Sequence, residues 1–431
     1  MPALHFRTAA AAPAPPAAPS LRNLLLAPHR YAFAAGTALL LLVSLGWALW
    51  LAAPLVGVSA RSALPPTMAH GFIFGAAFMP LFITGFIHTA GPRWLEVPPM
   101  TAQQLRWPVR LHVAGIALLM VGTLVEATVA AFGALLLAMA LTATGASLAA
   151  LLRASRARDQ LHMRWVLAFW VVGIAAALLL ASGLAIHHAA AAGVASWLLI
   201  FGCVAPITVT VAHRILPAFT SNAIIGSAAW RPNGVLALLL TGVIALGALQ
   251  VAGRTGLLEA HTLAWLTLAM QTPVAVAAGL IAVRWGLLQS LGKPSLRLLA
   301  MLHLAFAWIP LALALACVDA ALMLTAADVP RIGAMPLHAL TMGFLGTMLF
   351  AMATRVISGH GGVAMTVDAR IWSLFWLLQL AILLRLAAAV PSPAAPALAA
   401  GSAALWTVAW GAWALRYVPI LLRPRADGRP G

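Results

Sequence analysis

The sequence has few charged residues and almost no acidic ones. Only 8% of its 431 residues are charged, and just 8 of them are Asp or Glu, whereas 63% are hydrophobic. An ordinary soluble domain has about 25% charged residues, so this composition excludes a soluble fold. It is instead typical of an integral membrane protein with almost no soluble domain.

Cysteine and the common catalytic motifs are also scarce. Cys203 and Cys317 are the 2 cysteines, and each lies inside an apolar run without a CxxC pattern. This pattern excludes a disulfide framework and a zinc finger. The chain contains no P-loop, nucleotide fingerprint or nucleophile elbow, so phosphate-driven transport and soluble-type hydrolysis have no support.

The scarcity of acidic residues leaves a formal net charge of +17. In a soluble protein this charge would suggest a nucleic-acid partner, but here the arginines lie at the ends of apolar segments. Lys and Arg accumulate in cytoplasmic loops of membrane proteins. The charge therefore indicates a lipid bilayer as the partner and no nucleic acid.

Long apolar runs follow one another along almost the whole chain. A helix needs about 20 apolar residues to cross the hydrocarbon core, and the sequence predicts twelve such spans at 31–53, 67–90, 108–130, 132–152, 165–186, 193–213, 234–252, 262–284, 297–324, 333–357, 371–390 and 397–421. The predicted fold class is all-α, a polytopic membrane protein. The weakest boundaries are the turn between the third and fourth spans, near Gly133, and the last hairpin at 391–396.

Loop charges predict the orientation of these spans. With the N-terminus in the cytoplasm, the loops on the outer side hold only Arg61, Arg254 and Arg331, and the other loops and tails hold most of the remaining arginines. This distribution predicts that both termini are cytoplasmic. We expect a disordered cytoplasmic tail at 1–30, rich in Ala and Pro, a membrane domain at 31–421, and a short basic cytoplasmic tail at 422–431.

Histidine is the most informative residue type. Ionisable groups inside a membrane are costly and usually functional, and seven histidines lie within predicted spans or at their ends: His70, His88, His112, His213, His303, His338 and His360. The other six, among them His29 in the tail and His162 in a basic loop, are predicted to lie at the interface with water.

Helical geometry sorts these seven histidines into two levels. His70 and His338 lie near the outer ends of the second and tenth spans, and the other five lie towards the cytoplasm. Two imidazoles at one level can hold a haem iron or share another metal, because neutral imidazole suits iron, copper and zinc. The alternative is that some of these histidines only form hydrogen bonds between helices.

Three predicted buried charges accompany the outer level: Glu126, Asp319 and Arg385. They are expected either to form one network of ion pairs or to leave Arg385 free to bind a haem propionate, since Arg binds carboxylates in a bidentate manner. Met residues along the tenth span are either Cu(I) ligands or ordinary core residues.

Several segments resemble the NnrS family, membrane proteins that carry haem and copper and take part in the response to nitric oxide. The similar segments are MAHGFIFG (68–75), TGFIHTAGPRW (84–94), RILPAFTSNA (214–223), LHLAFAWIPL (302–311) and HALTMGFLGTMLFAMATRVISGHGG (338–362). The resemblance implies metal-binding histidines at His70, His303, His338 and His360. The family usually has a HAHE-like string where this chain has Met68, Ala69, His70 and Gly71.

The resemblance, together with the buried histidines, implies a protein of the bacterial inner membrane that binds haem, with copper as a second metal, and whose partner is nitric oxide or a related small molecule. The expected cofactor-binding residues are His70, His338 and Arg385, and the expected metal ligands are His88, His213, His303 and His360. Enzymatic turnover and the electron donor stay open. The alternatives are a quinol-linked haem oxidoreductase and a secondary transporter of a metal or small anion.

Overall fold

A computed structural model describes residues 18–325 and 331–427. Among these residues there is no strand, and twelve helices are long and apolar enough to cross a membrane. We name them α1 to α12: Pro28–Val56, Pro66–Trp94, Ala102–Val125, Ala127–Ala154, Leu161–Ala185, Ala189–Ala223, Asn233–Thr255, Ala260–Arg284, Pro294–Thr325, Met335–His360, Ala369–Ala387 and Ala395–Leu421. The prediction of an all-α polytopic protein with twelve spans is confirmed.

The turn between α3 and α4 differs from the predicted position. The helix break is at Glu126, which is extended with φ −167°, not near Gly133. A Cβ at Gly133 would lie 2.4 Å from the backbone nitrogen of Leu119. Gly133 is therefore inside α4, where its missing side chain lets the two helices pack closely, as small residues do in membrane helices.

The described chain before α1 packs on the end of α12. Residues Leu21–Leu26 form a short 3-10 helix, and the Asn23 side-chain amide donates to the carbonyl of Leu422 at 2.8 Å. Residues 18–30, which composition assigned to the tail, thus belong to the folded part, while predicted tail residues 1–17 and 428–431 lie outside the described residues. Both described chain ends share one end of the bundle, which we call the tail end.

Helix α2 is broken between Ala76 and Met79. The His112 ring on α3 reaches the break, and its Nε2 lies 2.9 Å from the carbonyl oxygen of Ala76 and 3.2 Å from that of Ala77. A broken helix inside a membrane leaves backbone groups that water cannot satisfy. His112 therefore stabilises this break by donating to its carbonyls.

Helix α10 contains a π-helical turn at Ala339–Gly346, directly after His338. Such wide turns often occur at functional sites. Within it, Gly343 packs against Trp308 of α9 so closely that a Cβ would lie 2.5 Å from the indole ring. The turn and this contact fix the part of α10 that follows His338.

Candidate metal centre

His70 of α2 and His338 of α10 face each other at the end of the bundle opposite the tail end. Their ring centroids are 6.4 Å apart, and the ring planes differ by only 11°. A histidine nitrogen binds a metal at about 2.0 Å, so two imidazoles on opposite sides of one ion have ring centroids roughly 6 Å apart. The observed centroid separation of 6.4 Å is close to this spacing, and the two ring planes are nearly parallel.

The ring nitrogens of both histidines are also suited to ligation. His338 Nδ1 donates to the carbonyl oxygen of Ala334 at 2.9 Å, which leaves Nε2 of the neutral ring as an acceptor. Metal-binding histidines usually donate their other N–H to such a group. His70 Nδ1 is buried and has no hydrogen-bond partner among the described residues, so this imidazole too has unused binding capacity.

Aromatic side chains hold the His70 ring in place. Trp47 of α1 stacks on it with 4.2 Å between ring centroids and 16° between the planes, and Phe74 lies 4.4 Å away. Sequence reasoning missed Trp47, because a Trp near the end of a span looks like a residue of the interfacial belt. Its contact fixes the plane of the imidazole ring.

The predicted network of Glu126, Asp319 and Arg385 is wrong. Glu126 is exposed in the turn before α4, and Asp319 forms its ion pair with Arg331, at 2.7 Å. Arg385 of α11 is partly buried, acts electrostatically on both His70 and His338, and forms no ion pair within the described part of the chain. Its charge is therefore free to meet an anionic group at this site.

Asp319 orders the chain that leads into α10. Its carboxylate accepts from Arg331 Nε at 3.0 Å and from the backbone N–H of Ile332 at 2.9 Å. The hydrogen bond to Asp319 raises the pKa of Arg331. Ile332 lies two residues before Ala334, the acceptor for His338. Asp319 thus positions the start of α10 instead of joining the pair of histidines.

The predicted ligand His88 has both ring nitrogens in hydrogen bonds. Nδ1 lies 2.7 Å from the carbonyl oxygen of Thr84, and Nε2 lies 2.6 Å from the hydroxyl of Ser147 on α4. The carbonyl requires Nδ1 to donate, so Nε2 of the neutral ring accepts from Ser147. The single hydroxyl hydrogen of Ser147 is then shared between His88 and the carbonyl oxygen of Thr144, 2.7 Å away. His88 joins α2 to α4 and would have to give up a hydrogen bond before it could bind a metal.

His213 is paired with His162 in a directed chain of hydrogen bonds. His213 Nε2 lies 3.2 Å from the carbonyl oxygen of Pro232 and must donate, so its Nδ1 accepts from His162 Nε2 at 3.0 Å. Arg214 then donates to His162 Nδ1 at 3.4 Å and pairs with Asp159 at 2.9 Å. Both imidazoles are fully occupied, and sequence reasoning missed His162 by placing it in a loop.

His303 of α9 keeps one ring nitrogen unused. Its Nε2 lies 2.9 Å from the hydroxyl of Thr220, which itself donates to the carbonyl of Leu216 at 3.0 Å. His303 Nε2 is therefore the donor, and Nδ1 is a buried acceptor with no partner among the described residues. Of the predicted inner-level ligands, His303 has the clearest free nitrogen.

His360, at the end of α10, contacts a histidine that sequence reasoning placed in the tail. Its ring centroid lies 4.5 Å from that of His29, with 45° between the planes, and His29 is only 1% exposed. This pair is at the tail end, far along α10 from His338. No group of three or more His, Cys, Asp or Glu side chains with metal-binding geometry occurs in the described residues.

Comparison with known proteins gives one clear match. The model of the NnrS family, described as NnrS protein, matches residues 23–425, which is nearly the whole chain and includes every histidine of the sites above. No curated protein sequence matches the chain. The protein therefore belongs to the NnrS family.

Proposed function

We propose that this protein is a haem protein of the bacterial inner membrane that takes part in the response to nitric oxide, with the haem iron held between His70 and His338. The observation that carries the proposal is the pair of opposed imidazoles with 6.4 Å between their centroids. Membership of the NnrS family supports the role in the nitric oxide response.

Each residue at this centre has a separate task. Haem, when bound, supplies an iron that binds small ligands or passes single electrons. His338 would ligate through Nε2 while Ala334 fixes its Nδ1–H, and Trp47 orients His70. Arg385 would bind a propionate, because guanidinium and carboxylate form two parallel hydrogen bonds.

A cavity in the core suits the expected small molecule. It has a volume of about 60 Å³ between α1, α2, α6 and α10, and is lined by Phe33, Met79, Phe82 and Met352 among other residues, none of them ionisable. Nitric oxide is small and nearly apolar, so transfer from water into such a cavity is favourable. The cavity supports a role in holding a diatomic gas inside the membrane domain.

The proposal that the protein binds copper is supported by its family, and His303 is the best candidate ligand. His303 Nδ1 is buried and unpartnered, whereas His88 and His213 use both ring nitrogens. Imidazole nitrogen is a common copper ligand. We propose His303 as the first residue to replace when copper content is measured.

The same pair of imidazoles also suits a copper ion without haem, and this is the second candidate for the centre.

The sequence left two alternative functions open, a quinol-linked haem oxidoreductase and a secondary transporter, and each has its own test. Oxidation of quinol analogues by the purified protein would favour a quinol-linked oxidoreductase, and substrate flux into vesicles by metal-free protein would favour a secondary transporter.

Nitric oxide tests the main proposal directly. When it is added to the reduced, purified protein, we expect the haem Soret band to shift, because a haem held by His70 and His338 would supply an iron that binds small gaseous ligands. A strain lacking the gene should grow more slowly under nitric oxide and be rescued by the wild type but not by His70→Ala. Normal growth of the deleted strain under nitric oxide would contradict the proposed role in the nitric oxide response.

The proposed orientation places the tail end in the cytoplasm, because most loop arginines lie on that side. Reporter fusions should place residues 54–66 outside and residues 153–164 and the C-terminus in the cytoplasm. The hydrogen bond between Asn23 and Leu422 requires both described ends to be on the same side. Fusions that put residues 153–164 outside would reverse the assignment of both histidine levels.

A further inference from the structure

Arg30 carries a buried positive charge that the protein does not neutralise. It lies in the first turn of α1 and is only 1% exposed. Its Nη1 donates to the backbone carbonyls of Leu421 and Arg423, but Nη2 is buried without a hydrogen-bond partner among the described residues. Arg30 forms no ion pair there either.

Three acidic residues at the tail end, Asp159, Asp368 and Asp427, are already paired with other arginines. Residues 1–17 and 428–431, which lie outside the described residues, contain no Asp or Glu. The carboxylate of Asp427 accepts two hydrogen bonds from Arg425. A buried charge without a partner is strongly unfavourable, so Arg30 calls for an anion from outside the chain.

The charged groups that act on the neighbouring His360 are positive. His29 and His360 contact each other, and Arg30, Arg93 and Arg425 all act electrostatically on His360. The N-terminus of α1 adds partial positive charge at the same place. Such surroundings repel a metal cation and attract an anion, so they argue against His360 as a metal ligand.

We infer that His29, Arg30 and His360 form a binding site for a phosphate group, with Arg30 Nη2 as its principal donor. The phosphate is either free inorganic phosphate or the headgroup of an anionic lipid, since the site lies at the end of the spans, where headgroups are present. The inference does not depend on haem at the other end of the bundle.

The test uses the full-length protein in nanodiscs of phosphatidylcholine. Unfolding temperature is measured against inorganic phosphate at constant ionic strength, and again after phosphatidylglycerol is added to the discs. We expect a saturable rise with phosphate if the free anion binds. If a lipid headgroup binds, phosphatidylglycerol should raise the unfolding temperature and remove the response to phosphate.

Variants separate this site from general charge effects. Arg30→Gln should raise the apparent dissociation constant at least tenfold, whereas Arg22→Gln, which changes an exposed arginine of the same N-terminal segment, should leave it unchanged. Because Arg30 also bonds to the end of α12, His360→Gln serves as a second variant that keeps those bonds, and it too should weaken binding.

Three results would overturn the inference. The first is that neither phosphate nor phosphatidylglycerol raises the unfolding temperature. The second is an equal response in Arg30→Gln, His360→Gln and Arg22→Gln. The third is stoichiometric copper or zinc that is lost on replacing His29 or His360 with Ala, which would identify a cation site.

Discussion

Replacing His338 with Ala is expected to remove haem from a protein that still folds and inserts. The substitution deletes one of the two imidazoles, and among the described residues this ring hydrogen-bonds to the carbonyl oxygen of Ala334, the residue before α10. Interhelical hydrogen bonds in membranes average about 0.6 kcal/mol, too little to explain loss of a cofactor through loosened packing. The ratio of Soret to protein absorbance should fall at least ~10-fold, because iron loses a protein ligand.

His70→Ala should give the same loss, since both rings face one site. His88→Ala is the matched control: it removes another buried imidazole of α2, but one whose two nitrogens bond to Thr84 and Ser147. Wild-type haem content in both His338→Ala and His70→Ala would refute the assignment. Loss in His88→Ala as well would show that haem release reports general damage to the fold.

Adding one methyl group at Gly122 is expected to destabilise the protein severely. A Cβ at this position of α3 would lie 2.1 Å from the backbone nitrogen of Ala130 on α4, so the two helices must move apart. Overpacking of a core costs about 1–3 kcal/mol and sometimes more, and a clash with backbone should fall at the upper end. Thermal unfolding of purified Gly122→Ala measures the effect.

Gly46→Ala provides the control for this prediction. Gly46 lies inside α1, and a Cβ there would have nothing within 4 Å. Because Ala favours helix over Gly by about 1 kcal/mol, this variant should be as stable as the wild type or slightly more so. Equal unfolding temperatures for Gly122→Ala and Gly46→Ala would contradict the close packing of α3 against α4.

The spans were predictable from the sequence because each must be long and apolar to cross a bilayer. The turn near Gly133 was not, since a glycine that marks a helix end and one that lets two helices touch look the same in one sequence. Because the turn lies at Glu126 and not near Gly133, Glu126 is exposed in the turn, whereas the predicted spans place it inside the membrane.

For the candidate centre, the sequence predicts the depth of the two histidines in the membrane but not their contact. Direction and length of α2 and α10 place His70 and His338 at one level, but only packing shows that their rings face each other. His29 and His162 were assigned to a tail and a loop, because their burial depends on tertiary contacts with His360 and His213. Sequence pattern carries no signal for such contacts.

The most direct test of the central claim is the haem content of the purified wild-type protein, expressed with ample haem and measured together with its copper content and its oxidised and reduced absorption spectra. A centre with iron between His70 and His338 predicts a stoichiometric amount of haem and a Soret band in both oxidation states. A colourless protein, or one that holds copper alone, would contradict it.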